Sequence, residues 1–359
     1  VQYYPMSEYL GAGRVKSLVS GEEFSVRAKT TVDATYMNVK VPSMRAPMFE
    51  VADEVKCSPP NDLPGLAGEF ERFVIVGAGK TAMDSCLFLL QNAVDPANIT
   101  WIMPRDSWLL DRAALQPGEL FHESLGEYST RQVEAIAAAE SVEDVLERVE
   151  SCGMLIRFSA DVWPTMYRCA TVTREEYQQL KRITGIVRLG RVQSVDAAEV
   201  VLEGGTIANS PSSLVVDCTA DGAERRPASP VFSGNEITLQ SVRTCQQVFS
   251  AALIGHVELG SYDEETKNEL CTPVPHPDNS ADFLRTALTN YRNSLRWAQD
   301  PDLYAWIQGA RLNAFNPRGS GSIEGYDYLA RLQQALPQAI SNLERILSED
   351  DLAASVDRP

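Results

Sequence analysis

Residues 73–84 read Phe73-Val74-Ile75-Val76-Gly77-Ala78-Gly79-Lys80-Thr81-Ala82-Met83-Asp84. An apolar, β-branched run stops at Gly77, a second glycine stands at Gly79, and Ser85-Cys86-Leu87-Phe88-Leu89-Leu90 continues beyond Asp84. That is the pattern of a buried strand, a tight turn and a helix, with G-x-G-x-x-A at the turn. Each small residue has its own reason. Gly77 permits the sharp reversal, Gly79 lets a pyrophosphate approach the backbone, and Ala82 lets the helix pack closely on the strand. The first amides of the helix, with about half a positive charge from its dipole, then hold the anion. Gly77, Ala78, Gly79, Lys80, Thr81 and Ala82 are the predicted dinucleotide-binding residues, although Lys80 reads equally as a solvated lysine at a helix start. The competing phosphate loop G-x-x-x-x-G-K-T fails, because Val74 stands where glycine is needed.

A second strand is predicted at Ile99-Thr100-Trp101-Ile102-Met103. An NAD site places an acidic residue near the end of this strand, about 20 residues past the glycines, to accept from the ribose 2′-hydroxyl. Here Pro104-Arg105 follows, and the first acid, Asp106, comes after the arginine. An arginine at that place suits a 2′-phosphate, through a charged hydrogen bond of about 1.5–3 kcal/mol. Arg105 therefore points to NADP(H), with Arg112 as a weaker candidate and a solvated loop arginine as the plain alternative.

The chain of 359 residues is too long for one average domain, and its net charge is −17. Such an acidic surface repels phosphate backbones and anionic membranes, so nucleic acid and membrane are unsuitable partners; the expected partner, a small-molecule substrate, belongs to the oxidoreductase reading below. No apolar run approaches the roughly 20 residues needed to cross a bilayer. The opening Val1-Gln2-Tyr3-Tyr4-Pro5 is no signal peptide. The 7 cysteines are scattered without a C-x-x-C pair, and only 3 histidines are present. These counts predict reduced thiols in a cytoplasmic protein, with neither a zinc site nor a redox-active disulfide.

Gly13-Arg14-Val15-Lys16-Ser17 recurs as Gly190-Arg191-Val192-Gln193-Ser194. Each copy leads through alternating strands to a similar end, Thr31-Val32-Asp33-Ala34-Thr35 and Val215-Val216-Asp217-Cys218-Thr219. Both read as a small antiparallel meander feeding a buried strand with threonine at its tip. The second copy begins 113 residues after Gly77. A matching fingerprint for the first copy would lie before Val1, so the chain reads as the C-terminal part of a longer protein.

Two dinucleotide domains, one nested in the other, resemble the two-dinucleotide-binding-domain flavoproteins. Gly77-Ala78-Gly79-Lys80-Thr81-Ala82-Met83-Asp84 is similar to the G-x-G-x-S-A-x-D of flavin-containing monooxygenases. Trp101-Ile102-Met103-Pro104-Arg105-Asp106-Ser107-Trp108-Leu109-Leu110-Asp111 resembles a little-characterised group of FAD/NAD(P)-binding oxidoreductases. The resemblance covers most of residues 1–275 and implies an α/β fold. Its parts are a Rossmann-like NADP domain with a β-meander over 70–220, the remainder of an FAD-type domain over 1–69, and a return to that domain over 221–359 with C-terminal helices. It implies FAD in the full-length protein, NADPH on the second domain, and Thr219 in the position of the family's A-T-G motif, with Tyr36 and Ala220 replacing its glycine. Two family features are missing. Phe49-Glu50-Val51-Ala52-Asp53-Glu54-Val55 does not match F-x-G-x-x-x-H, and the C-terminal G-D is not evident; residues 248–256 read as a core helix.

The expected function is an NADPH-dependent flavoprotein oxidoreductase, passing hydride to flavin and then to oxygen or another acceptor. A non-catalytic dinucleotide-binding or sensing protein is the alternative, and a flavin-free NADP reductase a third reading. Spacing singles out no catalytic acid or base. Helices are predicted from capping boxes at Ser141 (ending near Gly153) and Thr173 (ending near Gly185), with a strand at 154–158 between them. Residues 280–348 are helical by period, Pro337 divides or kinks the last helix, 318–322 form a flexible loop, and the segment after Ser348 reads as a disordered tail.

Overall fold

The computed structural model describes residues 6–11, 13–116, 122–220, 222–224, 226–313 and 327–356. Among them the chain is mixed α/β, with five sheets and ten α-helices. Strands β1 (Ser7–Gly11), β2 (Arg14–Ser17) and β3 (Glu23–Ser25) form an antiparallel meander, followed by β4 (Thr31–Asp33). Strands β5 (Glu50–Val51) and β6 (Cys57–Ser58) precede the one-turn α1 (Leu63–Leu66).

Next come β7 (Arg72–Val76), α2 (Lys80–Gln91), β8 (Ile99–Ile102) and β9 (Ser107–Asp111). Helices α3 (His122–Ala137) and α4 (Val142–Ser151), strands β10 (Leu155–Ile156) and β11 (Met166–Val172), helix α5 (Arg174–Leu180) and strand β12 (Gly185–Val187) follow. A second meander, β13 (Val192–Val195), β14 (Glu199–Leu202) and β15 (Gly205–Ala208), leads into β16 (Ser213–Asp217). The central sheet has the order β12-β8-β7-β16-β6, and every pairing in it is parallel. Alternation along β7 explains its two cores. Phe73 and Ile75 pack with Ala82, Met83 and Cys86 of α2, while Val74 and Val76 pack with Val195, Val200 and Leu202 of the meander.

The chain then forms β17 (Phe232–Ser233) and β18 (Glu236–Thr238), and β18 pairs in parallel with β4. Helices α6 (Gln247–Leu259), α7 (Glu264–Leu270), α8 (Ser280–Ala298), α9 (Pro301–Gly309) and α10 (Asp327–Val356) complete it. The sheet β10-β9-β11 is covered by α3, α4, α8 and α10 through Trp108, Val145, Leu284 and Leu343.

The two meanders and both threonine tips are present, but only β16 is the buried strand expected; β4 lies at the surface, with Val32 exposed. Thr35 and Thr219 each donate backbone N–H and hydroxyl to the aspartate two residues before, Asp33 and Asp217. Other expectations are corrected. Strands β5 and β6 hydrogen-bond to β13 and β16, so the sheets built around residues 70–220 begin before residue 69. The Thr173 capping box forms, but its helix ends at Leu180; the β-branched Ile183, Thr184, Ile186 and Val187 favour a strand, and Gly185 opens β12. Helix α10 passes through Pro337 without division and continues beyond Ser348 to Val356. Packing on α3 supports it: Arg331 pairs with Glu127 and Glu134, and Asn342 donates to the Ile136 and Ala139 carbonyls. The thiols are not all reduced. Cys169 and Cys245 form a disulfide, 76 residues apart with Cα atoms at 6.6 Å, a pairing no local spacing could signal. The loop predicted at 318–322 lies outside the described residues.

Candidate functional site

The Gly77 turn sits at the carboxyl end of β7, in the middle of the parallel sheet. Gly77 has φ +134°, and a Cβ there would stand 2.7 Å from the Cys218 carbonyl oxygen. Only glycine suits both the dihedral and the approach of β16. Its N–H donates to the Ile102 carbonyl at 3.0 Å, and its carbonyl accepts from the buried Trp101 indole at 2.7 Å. Both backbone polar groups of Gly77 are thus held by residues of β8. Ala82 is fully buried beneath it.

Gly79 is the N-cap of α2, with no side-chain cap and no acidic residue in the first turn. A Cβ at Gly79 meets nothing within 4 Å. The start of the helix is therefore open on its backbone side, and the nearest carboxylates, Asp84 and Glu176, are turned to Lys80 and Arg112. These features fit a diphosphate. Lys80 pairs with Asp84 one turn on, Thr81 is exposed, and Ala78 is half-buried.

Thr219, at the tip of β16, is held by Asp217 and by Arg45, whose Nη2 donates to the Thr219 hydroxyl at 3.0 Å. Arg45 Nη1 also lies 3.5 Å from Asp217 Oδ2, without the alignment of a hydrogen bond. Arg105 follows β8. Its Nη2 donates to the Thr165 carbonyl at 2.6 Å, and its Nη1 lies 3.3 Å from Asp278, which also accepts from Arg168. Asp278 lines a cavity of about 430 Å³ together with Tyr36, Arg226, His276 and Arg285. Arg112 pairs with Glu176 at 3.2 Å. Against its burial, the Thr173 amide and the Arg112 and Lys80 charges hold the Glu176 carboxyl below its ordinary range.

Three contacts escape a reading of the sequence: Arg45 on Thr219, Trp101 on Gly77, and Arg188 on Asp106. The last is bidentate, at 2.7 and 2.9 Å, and Asp106 is only 4% exposed. The acid nearest the end of β8 is thereby occupied.

The thiols around the turn are quenched. Burial, aided by Asp217, pushes Cys57 up to about 11; burial pushes Cys218 to about 12 and Cys86 well up. They remain thiols at neutral pH, which makes each a weak nucleophile. Their folded pKa lies above the unfolded value, so the folded state retains protons that the unfolded state releases, and stability falls as pH rises from about 9 through 12. Denaturation midpoints followed across that window decline accordingly, and Cys218→Ala flattens the decline. An unchanged slope in that variant contradicts the assignment.

No protein-family model matches the chain. It is similar to uncharacterized proteins of Mycobacterium bovis and Mycobacterium tuberculosis, 52% identical over 313 residues, which cover 87% of this chain and 58% of each relative. A second M. tuberculosis strain carries a protein with the same identity and coverage. The chain thus spans somewhat over half the length of the curated relatives it matches. No described helix is long and apolar enough to cross a membrane.

Proposed function

We propose that the chain is part of an NADPH-dependent flavoprotein oxidoreductase, with NADP(H) on a Rossmann-like unit and FAD in the longer protein. One observation carries the reading: the bare backbone at Gly79 heads α2 at the carboxyl edge of the parallel sheet, beside β16. There the chain order reverses, because β8 and β12 lie on one side of β7 and β16 and β6 on the other. Open α/β sheets bind ligands in the crevice at such a switch point. Gly77, Ala78 and Gly79 shape the turn, Lys80, Thr81 and Ala82 supply the amides, and Arg105 holds the 2′-phosphate. Thr219 lies two residues beyond β16, the strand that pairs with β7. Arg188 holds Asp106 and Asp278 with Thr165 holds Arg105, so the choice of NADP(H) over NAD(H) rests on the arginine that follows β8, which must exchange Asp278 for a 2′-phosphate. When bound, NADPH supplies a hydride and FAD accepts it. The small-molecule substrate and the cytoplasmic setting belong to the same proposal, with the Cys169–Cys245 bridge an exception to the latter.

A non-catalytic, dinucleotide-sensing role is the second reading, favoured by the missing F-x-G-x-x-x-H and C-terminal G-D motifs. Steady NADPH oxidation by the longer protein excludes it; tight binding without turnover supports it. Titration with NADPH and NADH tests the site. The protein prefers NADPH, and Arg105→Ala removes about one to two orders of magnitude of that preference, the worth of one charged hydrogen bond of roughly 1.5–3 kcal/mol. An unaltered preference in the variant overturns the assignment of Arg105.

A further inference from the structure

The Cys169–Cys245 bridge stands apart from the Gly77 turn. Cys169 occupies an irregularity in β11, whose register against β9 shifts between Tyr167 and Thr171. Cys245 lies one residue before Gln246, the N-cap of the 13-residue α6. Both half-cystines adopt left-handed backbone, with φ +55° and +56°. Non-glycine residues are strained in that region, and bulges and such outliers gather where a side chain is re-aimed for a task.

The bridge also faces space. Both half-cystines are half-buried and line a cavity of about 270 Å³, with walls from Leu110, Met154, Phe283 and Ala287 and polar groups from Gln132 and Asn290. The Tyr167 hydroxyl, also in the wall, lies 3.7 Å from Cys169 Sγ and is the donor, because a disulfide sulfur has no hydrogen. A cross-link serving stability alone needs neither a cavity beside both of its half-cystines nor strained backbone at both ends.

We infer that Cys169–Cys245 is a thiol–disulfide exchange site that takes a low-molecular-weight thiol through this cavity. The thiolate of the small thiol attacks Cys169 Sγ; the Cys169–Cys245 bond breaks, and Cys245 leaves as a thiolate. Its place before α6 favours that charge, since helix N-termini stabilise thiolates. A second small thiolate attacks the mixed disulfide at the sulfur of the first, releasing Cys169. Two thiols are oxidised to one small disulfide, the bridge gains two electrons, and the two protons of the small thiols end on Cys169 and Cys245. The inference is independent of the dinucleotide reading.

The test treats the folded chain with glutathione, alkylates it, and maps the labelled cysteines by peptide mass spectrometry. The expected result is two newly labelled residues, Cys169 and Cys245, while buried Cys86, Cys218 and Cys271 stay unlabelled. Cys245→Ser exposed to oxidised glutathione carries the adduct on Cys169. If that variant does not fold, the labelling of the unaltered chain decides alone. A bridge that stays closed until the protein is unfolded overturns the inference, as does one opened only by a thioredoxin-type protein dithiol. So does aerobic protein in which the two cysteines are unlinked.

Discussion

Gly77→Ala destabilises the folded chain by on the order of 3 kcal/mol, whereas Gly79→Ala leaves its stability within about 1 kcal/mol and abolishes dinucleotide binding. The two glycines lie two residues apart and do different work. At Gly77 a methyl group meets the Cys218 carbonyl at 2.7 Å while the backbone sits at φ +134°. Relief requires β7 and β16 to separate, and every apolar contact between the sheet and α2 resists that. At Gly79 the methyl group meets no atom within 4 Å, and the backbone is already extended at φ −86° and ψ −178°. Alanine is a poorer N-cap than glycine, but it reduces the freedom of the unfolded chain, and these effects nearly cancel. The methyl group instead fills the space that the proposed diphosphate would occupy. Chemical denaturation and NADPH titration of both variants separate the effects. Undiminished NADPH affinity in folded Gly79→Ala contradicts the proposed site, and equal destabilisation by both variants contradicts the geometry of the turn.

The turn was legible because its information is local. Strand, glycines and helix lie within about 20 consecutive residues, and each obeys a spacing rule that neighbours alone enforce. The threonine tips were legible for the same reason, since each aspartate bonds only two residues ahead. Contacts between distant parts of the chain carry no such signature. Arg45 reaches Thr219 across 174 positions, Arg188 reaches Asp106 across 82, and the disulfide closes a separation of 76. Helix α10 errs in the other direction. Pro337 and the acidic run after Ser348 argue locally for a break and a tail, but the Arg331 and Asn342 contacts to α3 hold the helix in place. Local preference yields where tertiary contacts outnumber it.

Arg188→Met is expected to cost about 3–5 kcal/mol, because it leaves the Asp106 carboxylate buried without its partner. Only 2% of the Asp106 side chain is exposed, and the Arg188 fork supplies both of its short hydrogen bonds. The position also matters to its neighbours. The Asp106 carbonyl accepts from the Thr165 and Met166 amides at 3.2 Å, so movement of Asp106 toward water loosens the start of β11 and, with it, the Thr165 anchor of Arg105. Asp106→Asn is milder, since an amide is cheaper to bury than a carboxylate and Arg188, 30% exposed, finds water. Combining the two changes therefore recovers a large part of the loss, because no unpaired charge then remains in the interior. Urea denaturation of the four proteins measures this coupling directly. Additive losses would mean that the pair contributes nothing beyond its separate halves. If the coupling is present, NADPH affinity falls with Arg188→Met although Arg188 itself is turned toward Asp106, since the Thr165 anchor beside Arg105 is carried on the segment that Asp106 fixes.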